Sequence, residues 1–422
     1  MKRRNRISAL LLAMVMLFSL FSMSSCGGLF GGNDYISKSE VQQMINNSMM
    51  GDITVEAGDN YNVTINTSDN DNAAAGKALL SVVSIDCVFK TAYSSSYYPG
   101  SSSKEKTSSG SGVIYRLDKN KGDAYIITNY HVVYYSQANT ENGISKDISV
   151  YLYGQESAEY AIPATYVGGS MNYDLAILKI DGSRILAESN AASAEFADSN
   201  QVAVLDQAIA VGNPEDLGIS ATLGYVNVDS EYISMEGADG TTAITLRVMR
   251  IDTAVNSGNS GGGLFDREGR IIGIVNAKLA SSENMSYAIP SNFVKYVADN
   301  IIYYCDGKSA ESVYRCYLGI TVSPKSLYTE YDKETGKVLR REVVGVATVD
   351  KTGLANGVLE VGDVVNSITV DGVTYDVTRM YVVTDSMLNA RVGSVVTVNV
   401  TRGATNLSLT IEIKESALTT IK

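Results

Sequence analysis

From Ala73 onward the chain alternates short apolar runs with turn residues. The runs are Ser81-Val-Val-Ser-Ile, Gly112-Val-Ile-Tyr, Ala124-Tyr-Ile-Ile-Thr, Ile148-Ser-Val-Tyr-Leu, Leu175-Ala-Ile-Leu-Lys-Ile, Ala208-Ile-Ala-Val-Gly and Ile271-Ile-Gly-Ile-Val. Many strands this short, separated by turns, predict an all-β sandwich or barrel. The period changes after Pro290, where Asn292-Phe-Val-Lys-Tyr-Val-Ala-Asp-Asn-Ile-Ile-Tyr-Tyr puts its apolar side chains on one helical face. Asp306-Gly307-Lys308 predicts the end of that helix and a break at 306–313. The remainder, 314–418, reads as strands with one helical stretch near Met380 to Arg391, enough for one small α+β domain. Tyr93 to Ser111, rich in Ser, Tyr and Lys, is expected to be an exposed loop.

The N-terminus follows a different rule. Lys2, Arg3, Arg4 and Arg6 precede an apolar run from Ile7 to about Phe21, the charged and hydrophobic regions of an export signal. The run is shorter than the ~20 residues that span a bilayer, which favours processing. It stops at Met23-Ser24-Ser25-Cys26, which resembles the lipobox of bacterial lipoproteins; a plain cleaved signal or an uncleaved anchor are the other readings. Residues 1–25 are thus expected to be a signal peptide and Cys26 a lipidated first residue, stably attached only with more than one acyl chain. Residues 26–72 read as a Gly, Asn, Asp and Ser-rich tether in which Val41, Met44 and Ile45 fall at helical spacing. That helix is either a spacer or a surface for a neighbouring subunit.

With 422 residues and 45% hydrophobic content the chain suits two or three globular domains. Removing residues 1–25 takes away four basic residues and no acidic one, moving the formal charge from −12 to −16. An acidic surface without a basic stripe excludes nucleic acid as a natural partner. Besides Cys26 there are Cys87, Cys305 and Cys316, without C-x-x-C spacing, so no zinc site or disulfide scaffold is indicated. Cys305 and Cys316 are either a local bridge or free thiols. No nucleotide-binding loop, metal or cofactor is implied.

Three segments carry chemistry. In Asn256-Ser-Gly-Asn-Ser-Gly-Gly-Gly-Leu, glycines leave Ser260 exposed on a tight turn and let amide groups converge on one spot, as an oxyanion site requires; alone, it reads equally as a turn. His131, the only histidine, stands at the end of an apolar strand in Ile126-Ile-Thr-Asn-Tyr-His-Val-Val, where it is a general base or a structural residue. Asp174, in Asn172-Tyr-Asp-Leu-Ala-Ile-Leu-Lys-Ile, heads a strand as a cap or as the carboxylate that fixes a histidine tautomer. Together the order His, Asp, Ser, with gaps of 43 and 86 residues, fits one β-barrel arrangement of a catalytic triad.

At these residues the chain resembles the trypsin-like fold, and more closely the HtrA (high-temperature-requirement) family of serine proteases. The family motifs T-N-x-H-V, D-L-A-x-L-K and G-N-S-G-G all stand here, with Gly212-Asn213-Pro214 and Tyr287-Ala-Ile-Pro-Ser, over about residues 75 to 416. The resemblance implies a mostly β protein: a trypsin-like double β-barrel over 73–306 followed by a PDZ domain over 314–418. It implies Ser260 as nucleophile, His131 as base then acid, Asp174 as its orienter, and the N–H groups of Gly258 and Ser260 as the oxyanion hole. By the same register Ala254 is the floor of the substrate pocket, and Asn276, Ala277 and Lys278 form one wall, Lys278 departing from an apolar lining. Tyr317, Leu318, Gly319 and Ile320 would hold a peptide C-terminus in the PDZ groove, with Asp332 to Leu339 an inserted hairpin beside it. The implied activity is an exported, ATP-independent endoprotease acting on unfolded or damaged proteins, membrane-bound through its lipid and assembled as a trimer. A proteolytically silent chaperone or scaffold and a narrow protease for one membrane partner are the alternatives.

Overall fold

The computed structural model describes residues 53–56, 62–65, 70–91, 104–278, 285–308 and 310–421. The signal segment, Cys26 and the helical stretch at 39–45 lie outside these residues. Of the unit that ends at Ser68, the described part is an antiparallel hairpin of β1 (Ile53–Glu56) and β2 (Asn62–Ile65).

The second unit, Asp69–Lys422, is built on two closed barrels. The first contains β3 (Val82–Thr91), β4 (Lys104–Asp118), β5 (Asp123–Thr128), β6 (Asp147–Leu152), β7 (Ile162–Ser170) and β8 (Leu175–Ile180). The second contains β9 (Gln207–Gly212), β10 (Ser220–Glu236), β11 (Ala243–Ile251), β12 (Gly263–Phe265), β13 (Ile271–Lys278) and β14 (Ser286–Pro290). The strand β8 shows why so many runs are wholly apolar. Its Ala176, Leu178 and Ile180 fill the first barrel, while Leu175 and Ile177 face the opposite way into a core shared with the second barrel. Both faces are dry, so alternation disappears.

That shared core is closed by two helices, α1 (Asn70–Ser81) and α4 (Ser291–Cys305), with two short ones, α2 (Tyr130–Val133) and α3 (Arg184–Glu188), between them in the chain. In α4, Phe293, Val294, Val297, Ala298, Ile301 and Cys305 form the expected stripe and enter the core. Asp306 caps it and Gly307 follows at φ 64°. The helix α1 corrects the reading of this stretch as the end of a tether and the start of β-structure. Its buried apolar residues are Ala74 and Ala78, so alanine's helix propensity, not an apolar stripe, makes it helical. The expectation of a loop up to Ser111 is also corrected: Lys104 to Ser111 is strand, paired from Thr91 to Ser84. Its polar side chains hide it from a hydrophobicity reading, because the backbone ladder holds it.

A third core belongs to the C-terminal region. Its six-stranded sheet runs β16 (Ile320–Tyr331), β17 (Val338–Val349), β18 (Val364–Val370), β20 (Val395–Arg402), β21 (Thr405–Glu412), with β19 (Val373–Asp376) on β18 and α5 (Met380–Ser386) packed against it. The separate pair β15 (Val313–Cys316) and β22 (Leu418–Ile421) closes the region at its base. Asp332–Lys337 is the turn of the long β16–β17 hairpin, with Asp332 and Lys337 bonded across it. This region docks on the β10–β11 ribbon through Arg247–Asp385 (2.5 Å) and Arg379–Asp229 (2.9 Å), and Arg247 lies 3.9 Å over the Tyr381 ring. Cys87, Cys305 and Cys316 are free and buried. Burial pushes Cys305 and Cys316 to about 11 and Cys87 to about 12, which keeps them as inert thiols. Among the described residues no helix is long and apolar enough to cross a membrane.

Candidate active site

The end of β5 presents the base. Val132 and Val133 of the single-turn α2 are buried in the first barrel, which turns His131 toward the groove between the barrels. Asp174, at the turn from β7 into β8, approaches from behind. Its Oδ2 accepts from His131 Nδ1 at 2.7 Å and its Oδ1 from the His131 N–H at 3.0 Å. One carboxylate therefore grips both ring and backbone, fixes the proton on Nδ1 and leaves the Nε2 lone pair free. The imidazole is 35% exposed and the carboxylate 5%. Burial opposes the charged ring, but attraction and hydrogen bonding to Asp174 outweigh it and raise His131 above its ordinary value of 6.5. Asp174 adopts φ 47°, a left-handed conformation that costs about 1–3 kcal/mol. Its N–H bonds to the Met171 carbonyl (3.2 Å) and its own carbonyl accepts Asn129 Nδ2 (2.7 Å), which together hold it there.

Ser260 lines the same cleft, of about 360 Å³, with His131, Asp174 and Asn276. Its Oγ donates to the Asn276 carbonyl at 2.9 Å; no hydrogen bond joins it to the ring among the described residues. The loop before it is fixed one peptide at a time. The Ser257 carbonyl accepts from Glu215 N–H (2.7 Å) and the Asn259 carbonyl from Gly262 N–H (2.9 Å). In a trans peptide the N–H opposes the C=O, so the following amides, Gly258 and Ser260, point the other way. Neither donates to another group among the described residues. Gly258 sits at φ 95°, and a Cβ there would lie 2.1 Å from the Asn213 carbonyl. Gly261, at φ 85°, would collide with the Ser111 carbonyl at 2.2 Å.

The expected pocket is only partly found. Asn276 lines the cleft and is fully buried, and its Nδ2 donates to Asp174 Oδ2 at 2.6 Å. Ala277 and Lys278 continue β13 and pair with Tyr287 and Ser286, and their side chains lie outside the described residues. Ala254 is corrected. It is exposed and lines no part of the cleft, because the extended chain buries its neighbours Thr253 and Val255 and turns residue 254 outward. The apolar lining comes from Val255, Ile244, Met235 and Ala238. In the C-terminal region Tyr317 is exposed, Leu318 buried, Gly319 turns at φ 84° and Ile320 opens β16, an edge of the sheet. The N–H groups of Leu318 and Gly319 donate to nothing among the described residues.

Residues 110–274 match the trypsin-like peptidase domain. The Serine protease Do-like HtrA of Lactococcus lactis subsp. cremoris (strain MG1363) is 31% identical over 335 residues, 74% of this chain and 76% of that protein. The chain belongs to the HtrA family of serine proteases. It is a serine endopeptidase. The Serine protease Do-like HtrA of Bacillus subtilis (strain 168) is 34% identical over 53% of this chain and 44% of its own length. A Probable periplasmic serine endoprotease DegP-like of Brucella suis biovar 1 (strain 1330) is 29% identical over 58% of this chain and 42% of its own.

Within this HtrA-family framework the motifs named three side chains that the fold brings to one cleft, but not the groups around them. Asn129, the Asn276 side chain, Ser111, and Met235 to Ala238 at the tip of the β10–β11 ribbon went unremarked. Asn129 stands within the T-N-x-H-V motif and was within reach of a local reading. The others meet the site from distant segments that carry no local signal.

Proposed function

We propose that this protein cleaves peptide bonds of unfolded or damaged proteins through a triad of Ser260, His131 and Asp174. The observation that carries the reading is the doubly anchored His131–Asp174 pair opening on the cleft that Ser260 shares. Rotation of Ser260 between staggered rotamers exchanges the Asn276 carbonyl for Nε2, a tightening expected when substrate binds. The oxygen then attacks the scissile carbonyl carbon while its proton passes to Nε2. The resulting oxyanion is met by the Gly258 and Ser260 N–H groups. Collapse expels the amine, which takes the proton from Nε2 and leaves an ester on Ser260. Water, deprotonated by His131 in turn, releases the acid and restores the serine. Asp174 holds the tautomer and stabilises the imidazolium that forms. The apolar lining by Val255, Ile244 and Met235 supports small or medium aliphatic side chains at the cleaved position, with weak discrimination.

The region 314–418 is read as a PDZ domain. The N–H groups of Leu318 and Gly319, unpaired among the described residues and beside the edge strand β16, support capture of a peptide C-terminus by strand addition. The basic and apolar N-terminal pattern ending at Cys26 supports export and a lipid anchor, and the Brucella relative carries the word periplasmic in its name.

The test compares wild type with Ser260→Ala for digestion of an unfolded protein and for labelling by a serine-directed phosphonate. Both should fall to background in the variant; residual cleavage equal to wild type would refute the nucleophile. The present Ser260–Asn276 bond favours a second reading, a latent or silent barrel, and a folded wild type inert in both assays would establish it.

A further inference from the structure

Ser111 is fully buried in β4 of the first barrel, yet its polar atoms reach the catalytic loop of the second. Its Oγ donates to the Gly258 carbonyl at 2.6 Å and accepts from the Asn213 N–H at 2.8 Å. Its N–H donates to the Ser260 carbonyl at 2.8 Å, and its own carbonyl accepts Thr128 Oγ1 at 2.7 Å. A single residue thus holds both members of the proposed oxyanion hole and the strand end from which His131 hangs three residues later. The surroundings are cut to fit it. A Cβ on Gly212 would lie 2.9 Å from Ser111 Oγ, and one on Gly261 would lie 2.2 Å from its carbonyl.

We propose that Ser111 is a positioning residue that sets the oxyanion loop against the imidazole across the interface between the barrels. The bonds to Ser257 and Asn259 orient the two amides. They do not fix how far the loop stands from His131, because their donors, Glu215 and Gly262, belong to the second barrel themselves. Ser111 and Thr128 supply that distance from the first. An offset of about an ångström at such a site is enough to cost roughly 100-fold in rate. The role rests on the oxyanion assignment made above.

The experiment replaces Ser111 by Ala in the full chain and measures kcat, KM, melting temperature, and affinity for a peptide boronate and for its unreactive peptide counterpart. The boronate becomes tetrahedral on Ser260 and reports the hole; the plain peptide reports ground-state binding. The expected result is a fall in kcat of roughly 10- to 100-fold, matched by the boronate, with KM and plain peptide affinity nearly unchanged. Ser84→Ala is the control, since its Oγ accepts from Asn213 Nδ2 at 2.6 Å and has no hydrogen bond to the loop among the described residues. It should lower the melting temperature while keeping kcat. Unchanged kcat in Ser111→Ala, or equal losses for boronate and plain peptide, would overturn the proposal. Should Ser111→Ala not fold, Ser111→Cys keeps a weak donor and carries the same comparison. Loss of activity in Ser260→Ala is read separately, so failure of the triad and failure of the positioning role are distinguishable.

Discussion

The chemistry of His131 depends on one neighbour. In the proposed mechanism its free form is the base, so activity requires the neutral ring, and Asp174 raises the pH at which that ring loses its proton. The acid limb of kcat/KM should therefore be half-developed above 6.5, read from a pH–rate profile on a small peptide substrate. In Asp174→Asn the attraction disappears while burial remains, so the same limb should move to lower pH. The rate should drop by roughly 10⁴-fold as the tautomer is lost. A limb that stays in place in the variant would separate the raised value from the carboxylate. At this scale the sequence was informative, because a lone histidine, a strand-head aspartate and a glycine-flanked serine are chemical features of single residues. The Asn276 side chain was not: its amide is 102 positions from Asp174, and nothing in Asn276-Ala-Lys announces a bond to a carboxylate.

Among elements, the turn between β11 and β12 carries the proposed oxyanion hole. Gly258 adopts φ 95° against the Asn213 carbonyl, and both the angle and the 2.1 Å approach refuse a side chain. Gly258→Ala should displace the Gly258 amide and lower kcat by about 10²- to 10³-fold, the usual cost of one oxyanion donor, with KM little affected. Steady-state kinetics on a variant whose melting curve remains cooperative would check it. The helix α4 was legible through the 3.6-residue period of its backbone, and the apolar strands as short runs bounded by turn residues. The helix α1 and the strand from Lys104 escaped, since one is built on alanines and the other on polar residues held by the ladder.

For the whole molecule, the C-terminal region is held to the second barrel by charge buried in a dry seam. Arg247 and Asp385 are both nearly inaccessible, and burial, outweighing the attraction of Arg247, lifts the Asp385 carboxyl above its ordinary value. That is the mark of a pair whose desolvation is not fully offset. Asp385→Ala should destabilise by about 3–5 kcal/mol by stranding the guanidinium, and Arg247→Met with Asp385→Leu should recover most of it, both read from urea unfolding. The sequence by itself determined the family motifs, the short apolar strand runs, the 3.6-residue period of α4 and the acidic charge, all properties of residues near one another along the chain. Only the tertiary structure decided that Ala254 faces outward, that the β10–β11 ribbon lines the cleft, and that Ser111 grips Gly258 from 147 residues away. Such contacts form when two barrels close against each other, and closure depends on the packing of both at once, which leaves no local periodic trace.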